Sequence, residues 1–517
     1  MARINTNVSS VIAQQNLARA NTDLGLRLER LSTGLRINRG KDDPAGMIIS
    51  QRISTDLAGV EQGIKNGDRA SSVIATTEAA LDEVSNLLNS IKALMVESAN
   101  TGANSAQERE ANQLQIDSAI DSITRISNTA TFGGLKLLDG SLDYVTSGID
   151  KTEITKAQIN GASLVGRSSL QVEVDVVASA QQGRLYINGD NPGAATDGVL
   201  LSATTLQIRG TRGVQELTFS SGTPLSAVVH SVNQITAHTG IKAALVNPAD
   251  HLSGMYFYSD GYGANEFVSV ERVGGPGPAA DSVSLLRHPA GAPYPGLGAA
   301  PDWASLVTAN RDDGQDVQAL INGTLATGRG LGVSINTPSL ALELILDESF
   351  ARSPAGPTST FDITGGGSLF QLGPDIIPQQ QANIGVQSVA ASRLGGTLIN
   401  GSLQFLSSLK KGQGNSIEEN VQAGDFTNAQ DILDTAIDEI AVLRGRLGAF
   451  ERNVLETNKR SLQAAFENLT ASKSAIVDAD FASETSALTR AQILNSSSTS
   501  ILALANQQAQ SVLQLLG

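Results

Sequence analysis

Apolar residues recur at helical spacing near both ends of the chain, whereas they alternate with polar residues in its middle. Over about 5–33 the leucines repeat every seven positions, which predicts a helix with an a/d seam. Gly34 is placed to end this helix. The seam positions are Leu17, Leu24 and Leu31, with Leu28 and Leu35 in a second, interleaved row.

Two more helices are predicted in the N-terminal part. Asp43 and Pro44 have the residue types of an N-cap and a first helical position, so the second helix begins there and extends to about Asn100. A third helix covers about 105–128, and a tight hairpin around the Asp-Gly pair at 139–140 follows. The predicted buried face of the second helix contains Ile74, Leu81, Val84, Leu88, Ile91 and Met95.

The helical pattern resumes after about residue 387 and is strongest over 427–476. Its seven-residue repeat slips by one position, from Val454 to Leu455, which relieves the mismatch between a 3.6-residue turn and a 3.5-residue repeat. A last helix is predicted over about 481–516. The predicted packing positions of these segments are Leu447, Val454, Leu462, Leu469, Leu494, Ile501 and Val512.

Between about 145 and 380 the apolar period is two, as in half-buried strands, and Gly, Pro, Thr and Asp punctuate the sequence. One helix, over about 225–240, interrupts these strands. The segment Gly274–Pro301 is rich in Gly and Pro and is predicted to be a linker or a long loop. The pattern leaves open whether the region forms one domain or two.

The composition excludes several classes of function. A formal net charge of −15 argues against nucleic acid and anionic membranes as partners, since phosphate binding needs a basic face. The chain has no cysteine, which removes disulfides, thiolate chemistry and sulfur-ligated metals. The N-terminus lacks the apolar core of a cleavable secretory signal. The last 27 residues are uncharged, but 13 of them are Ser, Thr, Asn or Gln, so we expect no membrane span.

No catalytic site and no cofactor are predicted. The four histidines are scattered, and no H-E-x-x-H, G-x-S-x-G or phosphate-loop sequence occurs. The segment 491–516 has no charged residue, so that helix has no face suited to water. If the chain's own bundle is already complete, other copies of the chain cover this helix. The pattern therefore indicates a self-assembling structural protein rather than an enzyme.

Several short segments resemble those of bacterial flagellins, the subunits of flagellar filaments. The first is Leu31-Ser-Thr-Gly-Leu-Arg-Ile-Asn-Arg-Gly-Lys-Asp-Asp-Pro-Ala-Gly46, where the family often has alanine in place of Pro44. The C-terminal ones are Leu447-Gly-Ala-Phe-Glu-Arg-Asn453, Ile476-Val-Asp-Ala-Asp-Phe481, Ala491-Gln-Ile-Leu494 and Ala505-Asn-Gln507. In the middle, 206–273 is similar to the module called the flagellin hook IN motif.

The resemblance implies an α+β multidomain fold, in which a long α-helical coiled-coil bundle from both chain ends carries one or more inserted β-rich outer domains. The expected domains are an N-terminal inner-tube helix (1–45), N-terminal rod helices and a hairpin (46–150), an outer β-rich domain with the IN motif (151–275), a second outer β-rich domain or extension (276–380), C-terminal rod helices (381–479) and a C-terminal inner-tube helix (480–517).

The same resemblance implies a function and partners. The chain is expected to polymerise with itself into the extracellular flagellar filament, after export without a cleaved signal. Expected partners are an export chaperone, the secretion apparatus, and the hook-associated junction and cap proteins. A hook–filament junction protein is the alternative within this class, and an adhesin-like role for the outer region stays open. A filament subunit carrying a metalloprotease insert is disfavoured because 145–380 has no H-E-x-x-H.

One further expectation concerns host recognition. In flagellins that activate the vertebrate innate-immune flagellin receptor, an arginine stands two residues before the basic position occupied here by Lys92. This chain has Ser90 there, keeps Leu94, and has Gln115 where a glutamate is usual on the neighbouring helix. The resemblance therefore implies a receptor-facing surface that binds the receptor weakly.

Overall fold

The computed structural model describes residues 7–164, 167–188, 198–274, 284–289, 301–337, 339–354, 356–399 and 401–514, without the side chains of 250–252 and 509–514. The chain forms two compact units. The terminal unit consists of Met1–Ser71, Phe370–Gln381 and Phe450–Gly517. The central unit consists of Ser72–Leu369 and Ala382–Ala449.

The helices are α1 (Val8–Thr33), α2 (Pro44–Ala99), α3 (Ala106–Thr129), α4 (Leu225–Gln234), α5 (Thr236–Thr239), α6 (Glu348–Ala351), α7 (Ile417–Ala423), α8 (Thr427–Phe450), α9 (Glu456–Val477) and α10 (Phe481–Gln514). A π turn, Glu451–Leu455, joins α8 to α9, and 3-10 turns cover Pro378–Gln380 and Leu406–Leu409.

The predicted helix boundaries are confirmed where a local signal fixes them. Gly34 ends α1 in the left-handed conformation, with φ of 72°. The Asp43 carboxylate accepts the backbone N–H of Gly46 at 3.0 Å, so that α2 begins at Pro44. A capping box between Ser105 and Glu108 starts α3.

The strands of the first half are β1 (Thr131–Phe132), β2 (Leu135–Lys136), β3 (Tyr144–Ser147), β4 (Ile154–Ala162), β5 (Leu170–Ala178), β6 (Arg184–Ile187), β7 (Thr204–Arg209), β8 (Val214–Phe219), β9 (Ile241–Asn247), β10 (Asp250–Ser259), β11 (Phe267–Gly274) and β12 (Leu285–Arg287). Those of the second half are β13 (Val307–Thr308), β14 (Arg311–Asp313), β15 (Gln318–Ile321), β16 (Thr324–Leu325), β17 (Thr327–Arg329), β18 (Gly332–Asn336), β19 (Leu340–Leu346), β20 (Ser359–Gly366), β21 (Ser368–Gln371), β22 (Gln381–Ile384), β23 (Thr397–Ile399) and β24 (Ser402–Gln404).

The tight hairpin after α3 lies earlier than predicted. Strands β1 and β2 pair antiparallel around Gly133 and Gly134, whose φ values are 58° and 87°. Two adjacent glycines supply the positive φ that a two-residue hairpin turn requires. The Asp-Gly pair at 139–140 instead forms a separate turn, in which the Asp139 carboxylate accepts the N–H of Ser141 at 2.9 Å.

The predicted register slip coincides with the π turn. The backbone N–H of Glu456 bonds to the carbonyl of Glu451, five residues back, and this wider turn adds one residue to the helix. The buried positions consequently follow Leu447, Leu455 and Leu462, whereas Val454 is only half-buried. The slip in the sequence is therefore taken up by a local change of helix type.

The helices of the central unit share an apolar core. All six predicted positions of α2, from Ile74 to Met95, are at most 4% exposed. Ile116, Ile120 and Ile123 of α3 are buried as well. The corresponding buried residues of α8 are Ile432, Leu433, Ala436, Ile440, Leu443 and Leu447. These helices follow the sequence pattern closely. The stretch from 387 to 416, where the sequence predicts that the helical pattern resumes, instead contains strands β23 and β24 and the 3-10 turn Leu406–Leu409.

The strands of the central unit surround two large apolar clusters, and a smaller one contains Tyr186, Val246 and Tyr256. Antiparallel sheets β16-β15-β5-β20-β3 and β17-β18-β19-β4 enclose the first, which includes Val174 and Leu342. Sheets β13-β12-β6-β10-β9 and β14-β11-β7-β8, with α4, enclose the second, which includes Phe257. The second cluster comes from chain inserted between β5 and β15, so the two modules are nested rather than consecutive.

This nesting differs from the expected boundary at 275/276. Leu285 of β12 packs in the same cluster as Val270 of β11, although they lie on opposite sides of that boundary. The segment expected to be a linker, Gly274–Pro301, thus contains a strand that pairs with β6 and β13. Its parts 275–283 and 290–300 lie outside the described residues. The short helix α6 was also not predicted.

Candidate assembly surface

Helices α1 and α10 of the terminal unit pair antiparallel. The Asn7 amide donates to the carbonyl of Ala505 at 3.0 Å near one end of the pair, and the Asn495 amide donates to Asn21 at 2.5 Å near its middle. At the other end the backbone N–H of Ala479 donates to the Gly34 carbonyl at 2.9 Å. The two ends of the chain thus hold one another along most of α1.

The contacting positions of α1 and α10 alternate at three and four residues, as in a coiled coil. They are all buried or half-buried: Ser10, Ala13, Leu17, Ala20, Leu24, Arg27 and Leu31 on α1, and Glu484, Leu488, Ala491, Asn495, Ser498, Leu502 and Ala505 on α10. We call these residues the terminal seam. Its most buried members are small or polar, so that the two backbones approach closely.

A second set of apolar residues on the same helices lies outside the seam and is not covered by the chain. Its members are each about half exposed or more: Val8, Val11, Ile12 and Leu28 on α1, and Phe481, Ile493, Leu494, Ile501 and Leu504 on α10. We call these residues the assembly surface. An apolar patch of this kind is typical of a surface that another molecule covers.

The predicted packing residues divide between these two surfaces. Leu17, Leu24 and Leu31 lie in the terminal seam and are half-buried by the chain itself. Leu494 and Ile501 lie on the assembly surface, 51% and 55% exposed. The side chain of Val512 lies outside the described residues. Leu447 is buried in the central unit. In the terminal unit Leu462 is buried, whereas Val454 and Leu469 are half-buried.

One charged cluster lies within the terminal seam. The Glu484 carboxylate accepts hydrogen bonds from Arg27 at 2.8 Å and Arg30 at 3.1 Å, and its side chain is only 8% exposed. Burial by itself would raise the pKa of Glu484, but the hydrogen bonds and charges of the two guanidinium groups outweigh it and lower that pKa. The hydrogen bond to Glu484 likewise raises the pKa of Arg27.

The flagellin-like segment after α1 forms an ordered connection to α2. Leu35 is half-buried and makes an antiparallel bridge with Asp478. The Asp42 carboxylate accepts the backbone N–H groups of Arg39 at 2.9 Å and Asn38 at 3.2 Å. These two hydrogen bonds lower the pKa of Asp42, and the one from Arg39 has the larger effect. The motif residues thus fix the backbone between the two helices.

The turn between β7 and β8 explains two glycines of the segment that was expected to be an IN motif. A Cβ on Gly210 would lie 2.2 Å from the carbonyl oxygen of Thr239, and one on Gly213 would lie 2.7 Å from that of His238. The turn between β7 and β8 therefore packs directly on the end of α5, where Gly240 has a φ of 73°. These motif glycines are required by close backbone approach.

The residues that the resemblance predicts to face the receptor lie on α2 and α3. Ser90 and Gln115 are exposed, and Leu94 is half-buried. The Ser90 hydroxyl donates to the carbonyl of Asn86 at 2.9 Å, within its own helix. The ammonium of Lys92 forms an ion pair with Asp434 of α8 at 2.6 Å. None of these side chains provides the guanidinium group that an arginine at position 90 would present.

A cleft of about 1530 Å³ lies in the central unit between the strand modules and α8. Several of its charges are paired with one another: Arg212 lies 3.5 Å from Asp260 and 3.9 Å from Asp431, and Lys242 lies 2.6 Å from Asp260. Among the described residues no group of three or more His, Asp or Glu side chains is arranged to hold a metal ion. No described helix is long and apolar enough to cross a membrane.

Comparison with known proteins gives matches at both ends. Residues 4–143 match the bacterial flagellin N-terminal helical region, and residues 430–516 match the bacterial flagellin C-terminal helical region. A flagellin of Salmonella rubislaw is 29% identical over 518 residues, with 99% of each chain covered. The B-type flagellin of Pseudomonas aeruginosa is also 29% identical, with the same coverage.

Similar solved structures include flagellar hook associated protein-3 from Legionella pneumophila, which is 12% identical with a TM-score of 0.29. That match covers 82% of this chain and 97% of the other. Another is the D2-D3 region of the flagellar cap protein FliD from Escherichia coli, 16% identical with a TM-score of 0.27, over 43% of this chain and 98% of the other. TM-scores this low do not establish a shared overall arrangement.

Proposed function

We infer that this chain is a flagellin-like structural subunit that polymerises with copies of itself into the bacterial flagellar filament, an extracellular structure. Its helical ends match the two flagellin terminal regions, and flagellins align with it from end to end. The observation that carries the proposal is the apolar assembly surface, which the chain does not cover itself. Copies related by a repeating, non-closing contact bury such a surface in a helical polymer.

The terminal seam and the assembly surface have separate roles in this proposal. The seam pairs α1 with α10 inside one subunit, through small side chains and the charged cluster around Glu484. The assembly surface then packs on neighbouring subunits. Leu494 and Ile501 belong to it, and we include Val512 because the uncharged sequence of α10 continues to that position.

The proposal also includes the strand modules of the central unit and the other flagellar proteins that the subunit meets. The close packing of Gly210 and Gly213 supports an IN-type module over 206–273. The subunit is exported unfolded through the flagellar secretion apparatus with a chaperone and without a cleaved signal. In the filament it meets the junction proteins at the hook and the cap proteins at the tip. The full-length alignment with flagellins favours a filament subunit over a junction protein.

The test is seeded polymerisation of purified subunit, followed by light scattering and electron microscopy. The unmodified chain should elongate short seeds of its own filaments. Ile501→Asp should abolish elongation, since it puts a charge on the assembly surface. Gln492→Asp adds the same charge to an exposed polar position of α10 and should elongate nearly normally. Equal elongation by Ile501→Asp and the unmodified chain would reject the assembly surface.

A further inference from the structure

A short segment of the terminal unit, Phe370–Gln381, comes from the part of the sequence that is otherwise rich in strands. It forms part of the two-stranded sheet β21-β22, and the backbone N–H of Leu372 donates to the carbonyl of Gln380 at 2.9 Å. We call this segment the finger. No helical or strand periodicity marks it in the sequence, and neither the terminal seam nor the assembly surface includes it.

Two amides anchor the finger to helices of the terminal unit. The Asn66 amide of α2 donates to the carbonyl of Gln371 at 3.1 Å. The Asn458 amide of α9 donates to the carbonyl of Leu372 at 2.8 Å. The Leu372 side chain is 4% exposed, and the rings of Phe370 and Phe450 lie 6.1 Å apart. The finger is therefore docked on two helices at its base.

Glycines in α2 make room for this docking. A Cβ on Gly59 would lie 2.8 Å from the Cβ of Pro374, and one on Gly63 would lie 3.0 Å from the carbonyl oxygen of Leu372. Gly59 and Gly63 are four residues apart and so lie on one face of the helix. Glycine weakens a helix, and here its use is explained by the close approach of the finger.

Side-chain hydrogen bonds hold the tip of the finger in one conformation. The Gln371 amide donates to the carbonyl of Asp375 at 2.6 Å, and the backbone N–H of Asp375 donates to the Gln380 side chain at 2.6 Å. Gln380 in turn donates to the Asp375 carboxylate at 3.2 Å. The tip formed by this frame is apolar: Ile376 is 88% exposed and Ile377 is 43% exposed.

We propose that this tip is a contact between subunits, in which Ile376 and Ile377 pack on the start of α2 in a second copy of the chain. The proposal rests on the proposed function. Because the backbone at Ile376 is already fixed by the hydrogen bonds of the tip, little further conformational entropy is lost when a partner covers this side chain. Residues that anchor an interface typically have this property. The tip also belongs to the same compact unit as the assembly surface, so polymerisation brings other copies next to it.

The receiving surface follows by elimination within the described residues of the terminal unit. Apart from the assembly surface and the tip, the exposed large apolar residues of that unit are Ile48 and Ile49, 59% and 49% exposed. They lie in the first turns of α2. A contact between two different patches of the same chain repeats from copy to copy without closing, as a filament requires.

Elongation kinetics test the tip. Ile376→Asp should slow seeded elongation at least about tenfold, because it buries a charge in the contact. Gln379→Asp, an exposed polar position three residues along, is the matched control and should elongate like the unmodified chain. Unchanged elongation by Ile376→Asp would overturn the proposal. Failure of the unmodified chain to elongate would reject the proposed function, and this contact with it.

Disulfide trapping tests the partner surface, since the chain has no cysteine of its own. Filaments grown from a mixture of Ile376→Cys and Ile48→Cys chains should yield cross-linked dimers on oxidation. The same mixture kept monomeric should not, nor should filaments that mix Ile376→Cys with Leu325→Cys, an exposed position of β16 in the central unit. If Ile376→Asp elongates slowly but the Ile376→Cys and Ile48→Cys chains give no cross-linked dimer, the assignment of the receiving surface is wrong.

Discussion

The carboxylate of Glu484 accepts a hydrogen bond from Arg27 at 2.8 Å, across 457 positions of sequence. The pair is largely shielded from water, and Arg30 adds a second bond at 3.1 Å. Because the rest of the seam is formed by alanine, leucine and small polar residues, this cluster has the strongest directional preference in it. It therefore fixes the register in which the two ends of the chain pair.

The first prediction is that acid weakens the pairing of α1 with α10. The pKa of Glu484 is lowered in the folded chain, so its stabilising contribution is present above the ordinary value of 4.5 and is lost as the pH falls through the lower, folded-state pKa. The protection factors of the α1 amides, which divide out the pH dependence of intrinsic exchange, should be larger at pH 7 than at pH 3.

The control separates Glu484 from other carboxylates. Glu484→Gln removes the charge but keeps the shape, so it should speed exchange in α1 at pH 7 and have a smaller effect at pH 3, where the carboxyl of the unmodified chain is closer to protonation. A difference between the two chains that persists unchanged at pH 3 would show that protonation of Glu484 is not the cause.

Local signals made the helical ends predictable from the sequence. Gly34, Asp43 and Pro44 specify backbone conformations that depend on their own residue type, and the structure places each as expected. The heptad positions of α2 are apolar because one face of that helix is buried, and the same spacing therefore identified its core. Both kinds of information lie within a few residues of sequence.

Other features depend on contacts between residues that are distant in sequence, which local sequence patterns do not reveal. The most buried residues of the terminal seam are Ala491 and Ala13, small residues that a search for leucine repeats does not detect. The finger has no periodicity, and the sequence signal that could have indicated it is the pair Gly59 and Gly63 within a helix. The nesting of the two strand modules depends on long-range pairing, which local alternation cannot reveal.

The second prediction concerns the π turn. Leu455 is 3% exposed whereas Val454 is half-buried, because the extra residue in the turn rotates the buried face by one position. Leu455→Ala should lower the free energy of unfolding by about 2–5 kcal/mol. Val454→Ala should lower it by at most about 1 kcal/mol. Denaturant unfolding of the two variants, beside Leu462→Ala as a second buried leucine, measures this. Equal losses from Leu455→Ala and Val454→Ala would place both residues on the same face.

The third prediction is that the strand modules are dispensable for polymerisation when they are removed at the right boundary. The backbone N–H of Gly367 donates to the carbonyl of Asp143 at 3.1 Å, so a short Gly/Ser linker can replace 145–366. The shortened chain should still elongate seeds, into filaments of smaller diameter by electron microscopy.

A second deletion provides its control. Replacing 160–365 keeps Ile154 of the first strand cluster but removes the β5 and β19 residues that bury it, so this chain should aggregate. A soluble 145–366 deletion that never elongates would show that the strand modules make required contacts between subunits.

The last prediction is that this chain activates the vertebrate innate-immune flagellin receptor weakly or not at all. Ser90 is exposed and its hydroxyl bonds within its own helix, while Lys92 is engaged by Asp434. An arginine at position 90 would extend a charged fork of donors that serine cannot supply. Ser90→Arg should therefore raise activation in a cell reporter assay at least about tenfold, since an anchoring arginine often contributes more than 1.4 kcal/mol to an interface. Asn89→Arg, which adds the same charge to the adjacent exposed position, should not. Both variants should polymerise normally, and full-strength signalling by the unmodified chain would contradict the prediction.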